Sequence, residues 1–283
     1  MRIVKPSFEI WEQSAGLEGV YKQIERVGRV CYKSEDKITE GSAKPFVDRM
    51  IKSGHGAMLE HGTVYLAMPM ETILPIEANG WGKYTLNPYS KGFKVCEVDG
   101  QRRVAITTNL RVLVENNWLG DLKYICEPTK YHERRITVHF VCDRGVSHEF
   151  VRHRVMSFAQ ESTRYCNYSK DKFGNELTFI QPCWIEHNQD TYDRWCFHEA
   201  LSKAEEVYFR LLKHGWTPQQ ARAVLPNSLK TELVVTGFTS DWNHFFRLRS
   251  RIAETGKPHP QAQELADPLM DEFVKRGIME TLL

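Results

Sequence analysis

Between residues 17 and 30 the apolar positions Leu17, Val20, Tyr21, Ile24 and Val27 follow the i, i+3, i+4, i+7 spacing of a one-sided helix. A second, shorter helix is expected to open near Pro45, where a fixed φ suits a first turn, and to stop at Ser53-Gly54, just before His55. Residues 63–68 read as a strand. The stretch 84–108 reads as an antiparallel meander broken by Asn87-Pro88 and Asp99-Gly100 turns. Ile136, Val138, Phe140 and Cys142 alternate with Thr137, His139 and Val141, the period of a strand, until Asp143-Arg144-Gly145 interrupts it.

Further along, Phe197, Leu201, Ala204, Tyr208, Leu211 and Leu212 line one face of a long helix, which Lys213-His214-Gly215 ends with a cationic turn and a glycine cap. Thr217-Pro218-Gln219-Gln220 has the form of a capping box in which threonine can accept the Gln220 amide. It opens a short helix that carries Arg222 and ends before Pro226. Ser240 is placed to cap a helix reaching Arg251, and a last helix over about 260–277 should be interrupted or kinked at Pro268. Helices and strands do not alternate regularly, which predicts an α+β fold, an antiparallel sheet packed with long helices, over a doubly wound sheet. There is no Gly-x-Gly-x-x-Gly and no phosphate loop ending in Gly-Lys-Ser/Thr, so no Rossmann unit is expected.

Composition narrows the class. With 283 residues, 41% hydrophobic and 26% charged, the chain matches ordinary globular proteins and is read as one domain over 1–283. Lys plus Arg (38) nearly balances Asp plus Glu (36), so a broad nucleic-acid footprint is not expected and any anion site must be local. Seven cysteines, an odd number without any Cys-x-x-Cys pair, favour reduced thiols and exclude a zinc ribbon. No stretch has the length of a signal peptide core or a membrane span, which points to a cytoplasmic protein.

The densest polar segment is Arg152-His153-Arg154-Val155-Met156-Ser157-Phe158-Ala159-Gln160-Glu161-Ser162-Thr163-Arg164-Tyr165. Three arginines among hydroxyls are costly to bury without an anion, and guanidinium forks suit phosphate. A solvated basic loop is the plain alternative for any arginine-rich run. Arg249 carries a second signal. Trp242, Phe245, Phe246 and Arg249 stand at i, i+3, i+4 and i+7, so this arginine projects from an apolar helix face and requires a partner there. A snorkelling arginine or a structural ion pair would satisfy the same pattern. His148 and His153 are five apart, about 140° around a helix, and cannot share a metal, so no metal site is expected.

Arg-His-Arg followed after seven residues by serine, then Arg164-Tyr165, resembles the signature of the flavin-dependent thymidylate synthases. Three further stretches are similar to that family in the same order. They are His55-Gly56-Ala57-Met58-Leu59-Glu60-His61, then Ala221-Arg222-Ala223-Val224-Leu225-Pro226, and finally Phe245-Phe246-Arg247-Leu248-Arg249 with His259-Pro260-Gln261-Ala262-Gln263-Glu264. The resemblance spans about 20–270 and implies that fold, a homotetramer with sites shared between subunits, and dUMP methylation using FAD, NADPH and methylenetetrahydrofolate. It implies dUMP contacts at Arg152, Gln160, Glu161, Ser162, Thr163, Arg164, Arg222 and Arg249. Flavin contacts would fall at His55, Ala57, Arg152, His153, Arg154, Gln160, Asn243 and His259. Arg249 would stabilise the uracil ring as its imide proton is lost, a task for a permanent charge.

Some positions depart from the family pattern. Glu149 stands for the usual glutamine, Gln160 for glutamate, and Glu161 and Thr163 for small or apolar neighbours of the serine. The flavin-facing asparagine near Gly237-Phe238 is absent or displaced to Asn243. The segment between His61 and Arg152 is longer than in compact members, and Thr255-Gly256-Lys257-Pro258 looks inserted, so extra strands or a lid are expected. Pro182-Cys183-Trp184 is distantly similar to the nucleophile segment of the cysteine-dependent thymidylate synthases, but tryptophan replaces the expected histidine, which favours a packed thiol. A nucleotide- or RNA-binding protein without flavin, and a different flavoenzyme on the same scaffold, remain alternatives.

Overall fold

Two antiparallel sheets organise the computed structural model, which describes residues 1–73, 83–98, 100–187 and 191–280. The strands are β1 (Arg2–Val4), β2 (Ser7–Trp11), β3 (Thr63–Pro69), β4 (Lys91–Val98), β5 (Gln101–Asn109), β6 (Arg135–Asp143), β7 (Ser157–Gln160), β8 (Thr178–Ile180) and β9 (Lys230–Phe238). The helices of the first half are α1 (Gly16–Tyr32), α2 (Ala43–Lys52), α3 (Gly56–Leu59), α4 (Met70–Ile73), α5 (Leu110–Glu115) and α6 (Arg144–Phe150). Those of the second half are α7 (Cys183–His187), α8 (Thr191–Lys213), α9 (Pro218–Ala221), α10 (Thr239–Arg249) and α11 (Pro260–Lys275). One sheet has the order β2-β6-β9-β7, the other β3-β5-β4, and β1 pairs β8 in parallel. The α+β expectation holds, with that parallel pair as an addition.

The four-stranded sheet is covered on both faces. Ile136, Val138, Phe140 and Cys142 of β6 pack with Leu233 and Val235 of β9 against Trp242, Phe245 and Phe246 of α10 and Leu265, Leu269 and Phe273 of α11. The opposite face meets α1, where Val27, Val30 and Cys31 pack with Trp11, Ala159 and Val234. The alternation in β6 is thus real, yet its second face is covered too, with His139 stacked on Trp11 at 4.8 Å. Helix α1 approaches α2 closely at Gly28, where a Cβ would lie 2.5 Å from Phe46 Cζ.

Three expectations need correction. Of the meander expected over 84–108, the antiparallel β4–β5 pair is present, but 83–90 are mostly turns, and β5 also pairs β3, so that it lies between β3 and β4. The mostly buried β5 takes the centre, whereas β4, carrying Lys91, Lys94 and Glu97, forms a solvated edge. Asp99 of the expected turn lies outside the described residues. Ser240 does not cap α10; Asp241 accepts the Phe238 N–H at 2.9 Å, and Ser240 bonds Glu133 instead. Helix α11 is not interrupted at Pro268, because the packing of Leu265, Ala266, Leu269 and Met270 outweighs one lost backbone bond.

Other local signals hold. Gly54 (φ 71°) and Gly215 (φ 89°) adopt the left-handed conformation just past α2 and α8. In the capping box Gln220 Oε1 accepts the Thr217 N–H at 2.9 Å, while the Thr217 hydroxyl donates to that same oxygen. Arg222 falls in the tight turn after α9. Among the described residues no helix is long and apolar enough to cross a membrane.

One buried group joins the sheets. Arg135, 7% exposed, donates to the Glu60 carbonyl (2.8 Å), Thr63 Oγ1 (3.4 Å) and Ser157 Oγ (3.1 Å), linking α3 and β3 to the start of β7. Beside it, the fully buried His61 meets Thr236 Oγ1 at 2.8 Å, and burial followed by the Arg135 charge pushes its pKa down to about 3.

Candidate functional site

Arg249 leaves the last turn of α10 and reaches α6 and the loop behind it. Its Nε donates to His153 Nε2 at 3.0 Å, one Nη donates to the Glu149 carboxylate, and the other to the Glu149 carbonyl at 3.0 Å. The side chain is only 15% exposed, so the partner its apolar face required is present. Glu149 also lies 3.6 Å from Arg152, whose side chain is 71% exposed, and therefore sits between two arginines. Because His153 Nε2 accepts from Arg249, the ring is neutral, and burial, then Arg249 and His244, hold its pKa down to about 4. Its Nδ1 is buried without a partner, as is Asn243 Oδ1 on the same α10. Arg154 is exposed.

The second group surrounds Ser162, at the end of β7. Gln160 Nε2 donates to Ser147 Oγ (2.8 Å) and Thr231 Oγ1 (3.2 Å). Glu161 and Thr163 are buried, whereas Arg164 is exposed and bonds Gln219 at 2.8 Å. Thr163 Oγ1 accepts from Arg222 at 3.2 Å, which brings the turn after α9 to this segment. The Ser162 amide donates to the Cys31 carbonyl at 3.0 Å.

The remaining expected residues stand elsewhere. His55 and Ala57 are exposed around the start of α3, and His55 lines an open cavity with Arg29, Phe46, Arg49 and Lys172. His259 is exposed at the start of α11, edge-on to Trp184 at 6.0 Å. Nearby Asp143 caps α6 through Val146 N–H (2.8 Å) and accepts from Gln261 (2.9 Å), with burial raising its pKa. Cys183 is half-buried and burial raises its thiol pKa, as befits a packed thiol. Among the described residues no group of three His, Cys, Asp or Glu is placed to hold a metal.

Thus Arg152, His153 and Arg249 are joined through Glu149 and one another, Ser162, Thr163, Arg164 and Arg222 form a second group, and His55, Ala57 and His259 lie apart from both, while Asn243 sits on α10 with its Oδ1 buried. Spacing did not point to Glu149 as the partner of Arg249, nor to Lys230 as a partner of the motif. Lys230 had a usable signal: Lys230-Thr231-Glu232 puts two opposite charges on one strand face, beside the apolar Val234.

Comparison with known proteins identifies the family. A family model described as thymidylate synthase complementing protein matches residues 132–276, which contain both groups. The flavin-dependent thymidylate synthase of Pyrococcus abyssi (strain GE5 / Orsay) is 31% identical over 142 residues, covering 50% of this chain and 55% of that protein. Against such relatives the chain spans about half their length. The flavin-dependent thymidylate synthase of Corynebacterium aurimucosum is 25% identical over 255 residues, 85% of this chain and 72% of that one. The crystal structure of a UMP/dUMP methylase PolB from Streptomyces cacaoi bound with 5-Br dUMP covers 97% of this chain and 93% of its own, with a TM-score of 0.46 and 18% identity. Matching its family model over just over half of its length, the chain belongs to the thymidylate synthase complementing protein family.

Proposed function

We propose that this chain methylates dUMP to dTMP with FAD as cofactor, methylenetetrahydrofolate as carbon donor and NADPH as reductant. The observation that carries the reading is the mostly buried Arg249, fixed by three hydrogen bonds against His153 and Glu149 inside the family-matched stretch. A guanidinium held this rigidly can stabilise negative charge on a uracil ring without reorganising. Arg152, Ser162, Arg164 and Arg222 would grip the nucleotide, the arginines through phosphate. Ser162 and Arg222 already share Thr163 as neighbour and partner.

The residues fit a flavin. Among the described residues, His153 Nδ1 and Asn243 Oδ1 are buried without a partner, and polar groups of a flavin would satisfy each. Those two would hold the ring, with His55, Ala57, Arg154 and His259 contributing from elements that stand apart within one chain. That separation suits a homotetramer whose sites are shared between subunits, in the cytoplasm, each chain forming one domain. When bound, the flavin supplies the hydride that completes the methyl group. The chain's own part is to orient flat rings and exclude water.

The decisive experiment measures dTMP formed from dUMP, methylenetetrahydrofolate and NADPH, with FAD present and after stripping it. FAD-dependent dTMP is the expected result. A folded, FAD-loaded protein that makes none would overturn the reading.

A further inference from the structure

The side chains flanking Ser162 are turned inward, and one of them is an acid. Glu161, 3% exposed, accepts from the Tyr168 hydroxyl and from Lys230 Nζ, each at 2.9 Å. Lys230 also reaches Glu232 at 2.6 Å, and Glu232 in turn receives Lys33 and His139, each at 2.9 Å. Lys33 stands just past α1 and extends the chain of charges to Glu35 at 2.7 Å. The backbone here is pinned as well, with the Glu161 amide on the Glu232 carbonyl at 2.8 Å. One residue beyond Ser162, Thr163 holds Arg222.

An acid beside an anion-binding serine is a liability. A free carboxylate there repels a phosphate dianion and competes with it for Arg222 and Arg164. We infer that Lys230 is a positioning residue for the nucleotide phosphate: it holds the Glu161 carboxylate inside the protein, leaving Ser162, Arg164 and Arg222 to the ligand. The inference rests on the nucleotide reading given above. It also accounts for a charge in a place where the resembling family carries small or apolar residues, because Glu161 and Lys230 are harmless only together.

The test is a double-mutant cycle read by calorimetric dUMP binding to the FAD-loaded protein, with flavin content and melting temperature as controls for folding. Lys230→Met should weaken dUMP binding about tenfold by leaving a buried, uncompensated carboxylate, and adding Glu161→Ala should restore affinity to within about threefold of the parent. A merely structural lysine would lower the melting temperature without this rescue. Weakening below about threefold in Lys230→Met, or weakening that Glu161→Ala does not relieve, overturns the inference. If Lys230→Met does not fold, Glu161→Gln decides: dUMP affinity should stay within about threefold, and a larger loss would mean that the carboxylate itself grips the ligand. Because binding is read directly, a parent protein that binds dUMP but makes no dTMP sinks the methylation reading and leaves the role of Lys230 standing.

Discussion

A single arginine concentrates the electrostatics of the candidate site. Arg249→Ala should keep the flavin and lose most turnover, by about 100-fold or more, because charge stabilisation exists only while the ring is reacting. Flavin absorbance and dTMP formation separate the two effects, and near-parental turnover would remove the assigned role. The position of Arg249 was legible from Trp242, Phe245 and Phe246, whose helical spacing put it on the apolar face. Its partner Glu149 was not, since the two lie 100 residues apart and local periodicity carries no long-range pairing. The histidines set the acid response. His153 and His61 stay neutral in the folded chain down to about 4 and about 3, whereas an unfolded histidine protonates near 6.5. Protons therefore bind the unfolded chain first as pH falls, so stability should be fully present above about 6.5 and decline below it. Urea midpoints at pH 7.5 and 5.5 test this; an unchanged midpoint would mean that neither ring is held neutral.

At the level of elements, most boundaries followed from caps and periodicity, as at α1, α2, α8 and β6. The failures have separate causes: Asp241 outcompetes Ser240 for the α10 cap, core packing carries α11 past Pro268, and the rank of a strand such as β5 depends on which partner offers an apolar face. The entry to α1 yields a prediction against propensity. Gly→Ala in a helix ordinarily stabilises by up to about 1 kcal/mol. At Gly19, however, a Cβ would lie 1.8 Å from the Ser14 carbonyl oxygen, so the chain leading into the helix must move. Gly19→Ala should destabilise by about 1–3 kcal/mol in chemical denaturation, and a gain in stability would refute the crowding.

For the molecule as a whole, the long segment between His61 and Arg152 supplies β3, β4, β5 and α5, which form a second sheet with its own core of Leu66, Val104, Ile106 and Leu113. Sequence length signalled extra strands there, but not that they would pack against α1 and α2 beside the main sheet. Arg135 is the fastening between the two. Its guanidinium spans α3, β3 and β7, and among the described residues its acceptors are neutral, so neither sheet can open without stranding a buried cation. The second sheet is thereby denied independent breathing. In native-state hydrogen exchange the amides of β3 and of β7 should open as one cooperative unit, and Arg135→Met should split them into two with different opening free energies.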